Sequence, residues 1–335
     1  MNKIINKITY KILTLFIFNR SKRHKIKEKF FKLHAESELN EILSEYKDYW
    51  IFSLFFPWGD LGIACSLIKE FKKVHGGKVL VLINSQNRAD VVKLFPSIDK
   101  FKVVSSDVYD YIFRYPNLKI EKGKYFEINH WKFYNAPRYK SKHFLELYAR
   151  MMNIENWNNF ERPEFGEEIK NRVLNKIKEL NIDIKNTVFI SKDSNSFDCT
   201  LFDENFWIKK AKEFEANGYE VVFNSKKRNY NGYKTIYLPM AEQLYFCSQC
   251  AKIVAVRSGF NDLLGIMGLD NLEIYYPKSM FFKTISQIEQ LVEFKRAFLD
   301  EEYKTFDENM YRITSMKMFS LKNVNEITTG KVVND

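Results

Sequence analysis

Apolar residues along this chain fall in short runs that alternate with stretches of helical spacing, and that alternation predicts most of its elements. Tyr49 to Phe56 and Lys78 to Ile83 are nearly continuous apolar runs bounded by turn residues, as expected of strands buried on both faces. Between them Ile63, Leu67, Ile68 and Phe71 return at helical spacing and stop at Gly76-Gly77, which gives a strand–helix–strand unit and implies a parallel sheet. Ala89 to Phe95 then reads as helix, Lys102 to Ser105 as strand, Asp107 to Phe113 as a short element, Gly123 to Asn129 as strand and Lys142 to Asn153 as an amphipathic helix. After a polar, irregular stretch over 154–166 the rhythm resumes with helix Glu167–Leu180, strand Thr187–Ser191, helix Asn205–Asn217, strands Glu220–Phe223 and Lys234–Leu238, and helix Met240–Cys250. Ile253 to Val256 is a buried strand that passes through Arg257-Ser258-Gly259 into a helix marked by Phe260, Leu263, Leu264, Ile266 and Met267. Leu272 to Tyr276 is one more strand, and Ile285–Phe298 and Asp307–Met318 carry helical patterns.

This order predicts an α/β chain with two Rossmann-like, doubly wound domains, the first over 49–160 and the second over 161–300. A basic amphipathic helical arm precedes them over 1–48, and a helical segment follows over 301–335. No G-x-G-x-x-G accompanies either domain, so a dinucleotide fold of the usual kind is not supported.

Charge changes the picture at the N-terminus. Of the net +11, residues 1–35 contribute ten Lys or Arg against a single acid, Glu28. The remaining 300 residues are therefore nearly neutral, which argues against a nucleic-acid groove across the body. Ile12 to Phe18 is too short to span a bilayer, which takes about 20 residues, and no small-residue cleavage site follows it. Lys3, Lys7 and Lys11 share one helical face, with Ile4, Ile5, Ile8, Ile12 and Leu15 on another, and a basic cluster runs from Arg20 to Lys27. Residues 1–34 thus fit a helix lying on an anionic inner leaflet, which predicts a cytoplasmic protein held peripherally at the membrane; the other reading is a helix packed on the body. The four Cys are too few for a disulfide framework, and Cys247-Ser-Gln-Cys250 is a lone C-x-x-C within a helical pattern.

The candidate chemistry lies where strands end. A strand that turns into a helix through Ser258-Gly259 presents backbone N–H groups and a helix dipole to an anion, and Gly259 permits close approach; the plainer reading is Ser258 as an N-cap. Lys192-Asp193-Ser194 follows the strand Thr187–Ser191, where Lys192 suits a phosphate or serves as a surface lysine. Asp60, in Pro57-Trp-Gly-Asp-Leu-Gly62, is either a helix cap or a general base. His130 and Arg138 frame an aromatic, basic loop that could meet an acceptor.

The segment PWGDLGIACSLIKEFKKVHGGKVLVLI resembles the N-terminal Gly-Asp segment of glycosyltransferase family 9, the ADP-heptose transferases. KHFLELYARMMNI is similar to that family's interdomain helix, and MAEQLYFCSQCAKIVAVRSGFNDLLGIMG to the helix–strand–helix that holds its nucleotide diphosphate. The resemblance spans about residues 50–270 and implies the GT-B plan, in which the two domains face a cleft. The family carries Asp-Thr-Gly and then a His where this chain has Arg257-Ser258-Gly259 and Asp262, a pattern nearer to other capsule and lipopolysaccharide glycosyltransferases of the fold. The resemblance implies a nucleotide-sugar donor held by Gly59, Lys192, Ser194, Arg257, Ser258, Gly259 and Asp262. It also implies Asp60 as base toward a saccharide or lipid-linked saccharide acceptor; His130 and Arg138, read from their own loop, could meet that acceptor or a phosphate. No Asp-x-Asp is present, so no metal and no cofactor are expected, and fixed positive groups would take a divalent ion's place. Rival expectations are a fucosyl or polysaccharide pyruvyl transferase on the same fold, or a catalytically silent binding protein at the membrane surface.

Overall fold

Two parallel sheets carry the chain. The computed structural model describes residues 20–114, 124–127, 144–157, 159–194, 203–227, 229–256, 258–269, 271–277, 304–305 and 310–314. His130, Arg138, Arg257, the segment 1–19 and the pattern Ile285–Phe298 lie outside these residues. Two units form, one from residues 1–55, 77–86 and 99–129, the other from 56–76, 87–98 and 130–335.

In the first unit β1 (Tyr49–Ser53), β2 (Lys78–Ile83), β3 (Lys100–Val103) and β4 (Lys124–Glu127) form a parallel sheet in the order β3-β2-β1-β4. Helix α1 (Arg20–Glu45) covers it with a stripe of Ala35, Leu39, Ile42 and Leu43, all buried at helical spacing against Ile51, Leu80 and Leu82. Ala35, Leu39, Ile42 and Leu43, within the segment assigned to the basic arm, are therefore core. Helix α5 (Ser106–Arg114) is tied to α1 by Tyr111 Oη donating to Glu36 at 2.7 Å and by His34 Nδ1 lying 3.0 Å from Asp107.

The second unit holds α2 (Trp58–Ser66), α3 (Ile68–His75), most of α4 (Gln86–Val92), α6 (Phe144–Met151) and α7 (Glu167–Glu179). It also holds the sheet built from β5 (Thr187–Ser191), β6 (Glu220–Asn224), β7 (Asn229–Tyr230), β8 (Tyr233–Ile236), β9 (Lys252–Val256), β10 (Leu272–Pro277), β11 (Lys304–Thr305) and β12 (Met310–Thr314). The strand order is β11-β12-β10-β9-β5-β6-β8-β7, parallel from β10 to β8 with antiparallel margins. Helix α8 (Glu204–Ala216) is capped by Asp203, whose carboxylate accepts from Phe206 N at 2.7 Å, and it seats Trp207 among Val188, Val254 and Tyr275. Helix α9 (Met240–Gln249) sets Phe246 5.3 Å from Phe189.

Two expectations are corrected here. Asp307–Met318 is not helical at Met310–Thr314; this stretch is β12, paired antiparallel with β10, and Lys304–Thr305 is strand too. Tyr311, Ile313 and Thr314 favour the pleated state, and pairing satisfies the backbone edge of β10 that a helix would leave open. Nor is Asp60 a helix cap: α2 begins at Trp58 after Pro57, so Asp60 lies within the first turn, where a carboxylate complements the helix dipole.

Candidate functional site

The loops after β5 and β9 leave the sheet at the place where its winding reverses. From β5 the chain steps through α8 to β6 on one side; from β9 it steps through α10 (Gly259–Ile266) to β10 on the other. Adjacent parallel strands whose connections diverge open a crevice at their carboxyl ends, the usual ligand position in open α/β sheets. Ser191 pairs with Ala255, so Lys192 and Val256 come next in register, and Ser194 and Ser258 begin the two diverging loops.

At the start of α10 Ser258 is an extended N-cap, as the plainer sequence reading holds. Its backbone N–H donates to Asn261 Oδ1 at 2.6 Å, and its hydroxyl lies 3.2 Å from the same oxygen. With Asn261 so oriented, its buried Nδ2 finds no acceptor among the described residues. A buried donor left in that state costs about 1–3 kcal/mol, so the position is one where an acceptor oxygen would be stabilising.

Two glycines then let a second helix start reach the first. A Cβ on Gly259 would stand 2.6 Å from Gly59 N, and one on Gly59 would stand 2.8 Å from Gly259 Cα and collide with the Asp262 carboxylate. The close approach that Gly259 permits is thus to the backbone of α2. One turn on, a Cβ on Gly62 would run into Leu263 Cδ2. Asp262 is buried in the first turn of α10. Asp60 is half-buried, and Tyr148 on α6 is fully buried. Burial holds the Tyr148 phenol well above its ordinary range, and the negative charges of Asp60 and Asp262 push it further the same way, so it keeps its proton. Phe56 braces the Tyr148 ring edge-on at 5.9 Å.

Lys192 lies apart from this cluster in its contacts. Its Nζ pairs with Asp193 Oδ1 at 2.9 Å and stands 5.3 Å over the Tyr230 ring, with the side chain about a quarter exposed. An exposed pair of this kind is weak enough to be exchanged for a stronger anion. Ser194 is half-buried beside it. Cys65, Cys247 and Cys250 are buried free thiols, each pushed above the ordinary range chiefly by burial, so the C-x-x-C belongs to the packing of α9.

Of the residues singled out in the sequence, the structure brings Gly59, Asp60, Ser258, Gly259 and Asp262 together on the starts of two helices, while Lys192 and Ser194 share the sheet end. Tyr148 and Asn261 were missed. Tyr148 differs from the other buried aromatics only through the fold, whereas Asn261 stands three residues after the N-cap Ser258, a capping-box spacing that the sequence does show.

An α/β chain with polar loops at a winding reversal is a fold built to hold a ligand at its sheet ends. The particular likeness is to a glycosyl transferase of family 9 from Veillonella parvula DSM 2008, at a TM-score of 0.52 and 15% identity over 70% of this chain and 83% of that one. ADP-heptose lipopolysaccharide heptosyltransferase II of E. coli follows at 0.49 and 11% identity, over 66% and 83%. TibC, an iron-containing dodecameric glycosyltransferase of enterotoxigenic E. coli H10407, stands at 0.44 and 14%, over 67% and 56%. The first of these carries the statement that the fold is that of family 9. The sequence matches no protein-family model and no curated protein.

Proposed function

We propose that this protein is a glycosyltransferase that moves a sugar from a nucleotide-sugar donor to a saccharide or lipid-linked saccharide acceptor of a cell-surface polysaccharide or lipopolysaccharide. The observation that carries the reading is the close approach of the α2 and α10 starts, glycine on glycine, which sets the Asp262 carboxylate against Gly59, the neighbour of Asp60. The fold likeness to family 9 supports it, and a GT-B arrangement of two domains facing a cleft is part of it.

In this mechanism Asp60 takes the proton of an acceptor hydroxyl as its oxygen attacks the anomeric carbon, and the bond from that carbon to the diphosphate breaks. The departing diphosphate gains charge at the N-terminus of α10, where the first N–H groups of a helix have no partner within it. Lys192 and Arg257 add fixed positive charge, and the Asn261 amide adds a donor, so the step requires no divalent ion. Asp262 offers acceptors only, which suits hydroxyls of the donor sugar and not phosphate oxygens. Ser194 lines the donor side, and His130 and Arg138 meet the acceptor. Residues 1–34 would rest on the anionic inner face of the membrane, beside a lipid-linked acceptor.

The test is Asp60→Asn, which preserves shape and removes the base. Its turnover with the best donor from a nucleotide-sugar panel should fall about 10²–10⁴-fold, the usual worth of general-base catalysis. Turnover at the wild-type rate would remove Asp60 from the chemistry. The same panel separates hexosyl, heptosyl and fucosyl donors from pyruvyl transfer.

A further inference from the structure

We infer that Asn224, with Gln243 beside it, is the specificity-determining residue for the nucleoside of the donor; the inference rests on the nucleotide-sugar donor proposed above. Asn224 closes β6, next to Ser191 at the end of β5, and its Nδ2 donates to the Ser191 hydroxyl at 3.1 Å. That bond sets the amide, and its buried Oδ1 has no hydrogen-bond partner among the described residues. A buried acceptor in that state is costly to the fold and ready for a ligand's N–H or O–H.

A second amide meets the same corner. Side chains two apart on a strand share a face, so Ser191 lies on the face of Phe189, which packs on Phe246 of α9 at 5.3 Å. Beyond α9, Ala251 N donates to Thr187 O at the start of β5 at 3.0 Å. The helix therefore runs against the strands, and its first turn reaches their carboxyl ends. Gln243 precedes Phe246 by three residues, on the same side of α9 and about one turn, 5.4 Å, nearer that end. Ser191 is about 6.6 Å beyond Phe189, so the two come level. Gln243 is buried, an amide among the apolar residues of α9.

The distance along the sheet fits one ligand. Only β5 separates β6 from β9, so their ends stand about 10 Å apart, two strand spacings. At the β9 end, in the first turn of α10, the unpartnered buried atom is a donor, Asn261 Nδ2; at the β6 end it is an acceptor, Asn224 Oδ1. A nucleoside diphosphate has the matching polarity. Its phosphate oxygens accept, and its ribose hydroxyls and base N–H groups donate.

The experiment measures, by calorimetry, the binding of nucleoside diphosphates, their 2′-deoxy counterparts and inorganic pyrophosphate to wild type, Asn224→Leu and Gln243→Leu. Asn224→Leu should weaken the best nucleoside diphosphate about tenfold, the worth of one hydrogen bond, and leave pyrophosphate within about twofold. Gln243→Leu, close in volume, should show the same pattern and serves where Asn224→Leu does not fold. A variant that no longer tells the bases apart puts Oδ1 on the base; one that no longer tells ribose from deoxyribose puts it on the sugar. Either outcome supports the inference. Nucleoside diphosphate and pyrophosphate weakened alike, or neither weakened, overturns it and leaves the donor reading standing. A wild type that binds neither compound overturns both.

Discussion

Gly59, Gly62 and Gly259 set the residue scale of this site, and they differ in what a methyl group would meet. At Gly259 the obstacle is the backbone nitrogen of Gly59, which cannot yield unless α2 moves. At Gly62 it is the tip of the Leu263 side chain, which can rotate within the core, with Ile266 Cδ1 at 3.3 Å. Alanine also gains about 1 kcal/mol of helix propensity over glycine in both helices. Gly259→Ala is therefore expected to destabilise by about 1–3 kcal/mol, the cost of overpacking, and Gly62→Ala by distinctly less. Urea unfolding of the two variants checks the ranking, and equal midpoints would mean that the helix starts are not in contact. The Asp60 contribution is of another kind. Asp60 is readable in the sequence as a carboxylate after a strand, but the burial of Tyr148 is not. Nothing in KHFLELYARMMN marks which of its aromatics the fold buries.

At the scale of elements, two strands are legible to the residue, whereas the run Tyr49–Phe56 yields a strand only to Ser53. Lys78–Ile83 and Thr187–Ser191 have the bounds that their apolar runs predict, because turn residues fence them on each side. The helical spacing from Ile63 to Phe71 shows neither the start of α2 at Trp58 nor the break at Leu67 that divides it from α3. Two glycines hid the first turn of α2 from any propensity argument, and their purpose is the contact with α10. Met310–Thr314 was misread as helix because a short run of mixed apolar residues fits either period, and the pairing with β10 decides it. The start of α10 offers a prediction of its own. Asn261→Asp keeps the oxygen that accepts from Ser258 N–H and removes the buried donor. Fold stability should stay within about 1 kcal/mol of wild type, since acids suit a helix start, while stabilisation by a nucleoside diphosphate should be lost. Retained stabilisation, read by thermal shift, would show that the amide does not face the phosphates.

For the molecule as a whole, the alternation of runs predicts two sheets with parallel cores, and the winding order of the second, whose margins are antiparallel, places the loops after β5 and β9 at a reversal. Composition alone does not reveal that point, because it depends on which strands become neighbours. The thiols give a whole-molecule check on the packing. Cys65, Cys247 and Cys250 should resist alkylation in the native protein and react once it is unfolded, as seen by peptide mapping; labelling of the folded protein at Cys247 and Cys250 would return the C-x-x-C to the list of reactive sites. Among the described residues no helix is long and apolar enough to cross a membrane. The proposed attachment through residues 1–34 rests on their basic charge. Binding to anionic vesicles should fall steeply as salt rises. Salt-independent binding would exclude an electrostatic arm.

The central claim, that the α10 start and the Lys192 loop grip a pyrophosphate-linked sugar, is met most directly by thermal unfolding against a panel of nucleoside diphosphates and nucleotide sugars. A ligand bound only by the native state at about 100 times its Kd adds about 2.7 kcal/mol. At least one diphosphate nucleotide should therefore raise the wild-type midpoint by several degrees, and Lys192→Ala should reduce that rise without altering the unliganded midpoint. A midpoint unmoved by every member of the panel at millimolar concentration would contradict the account.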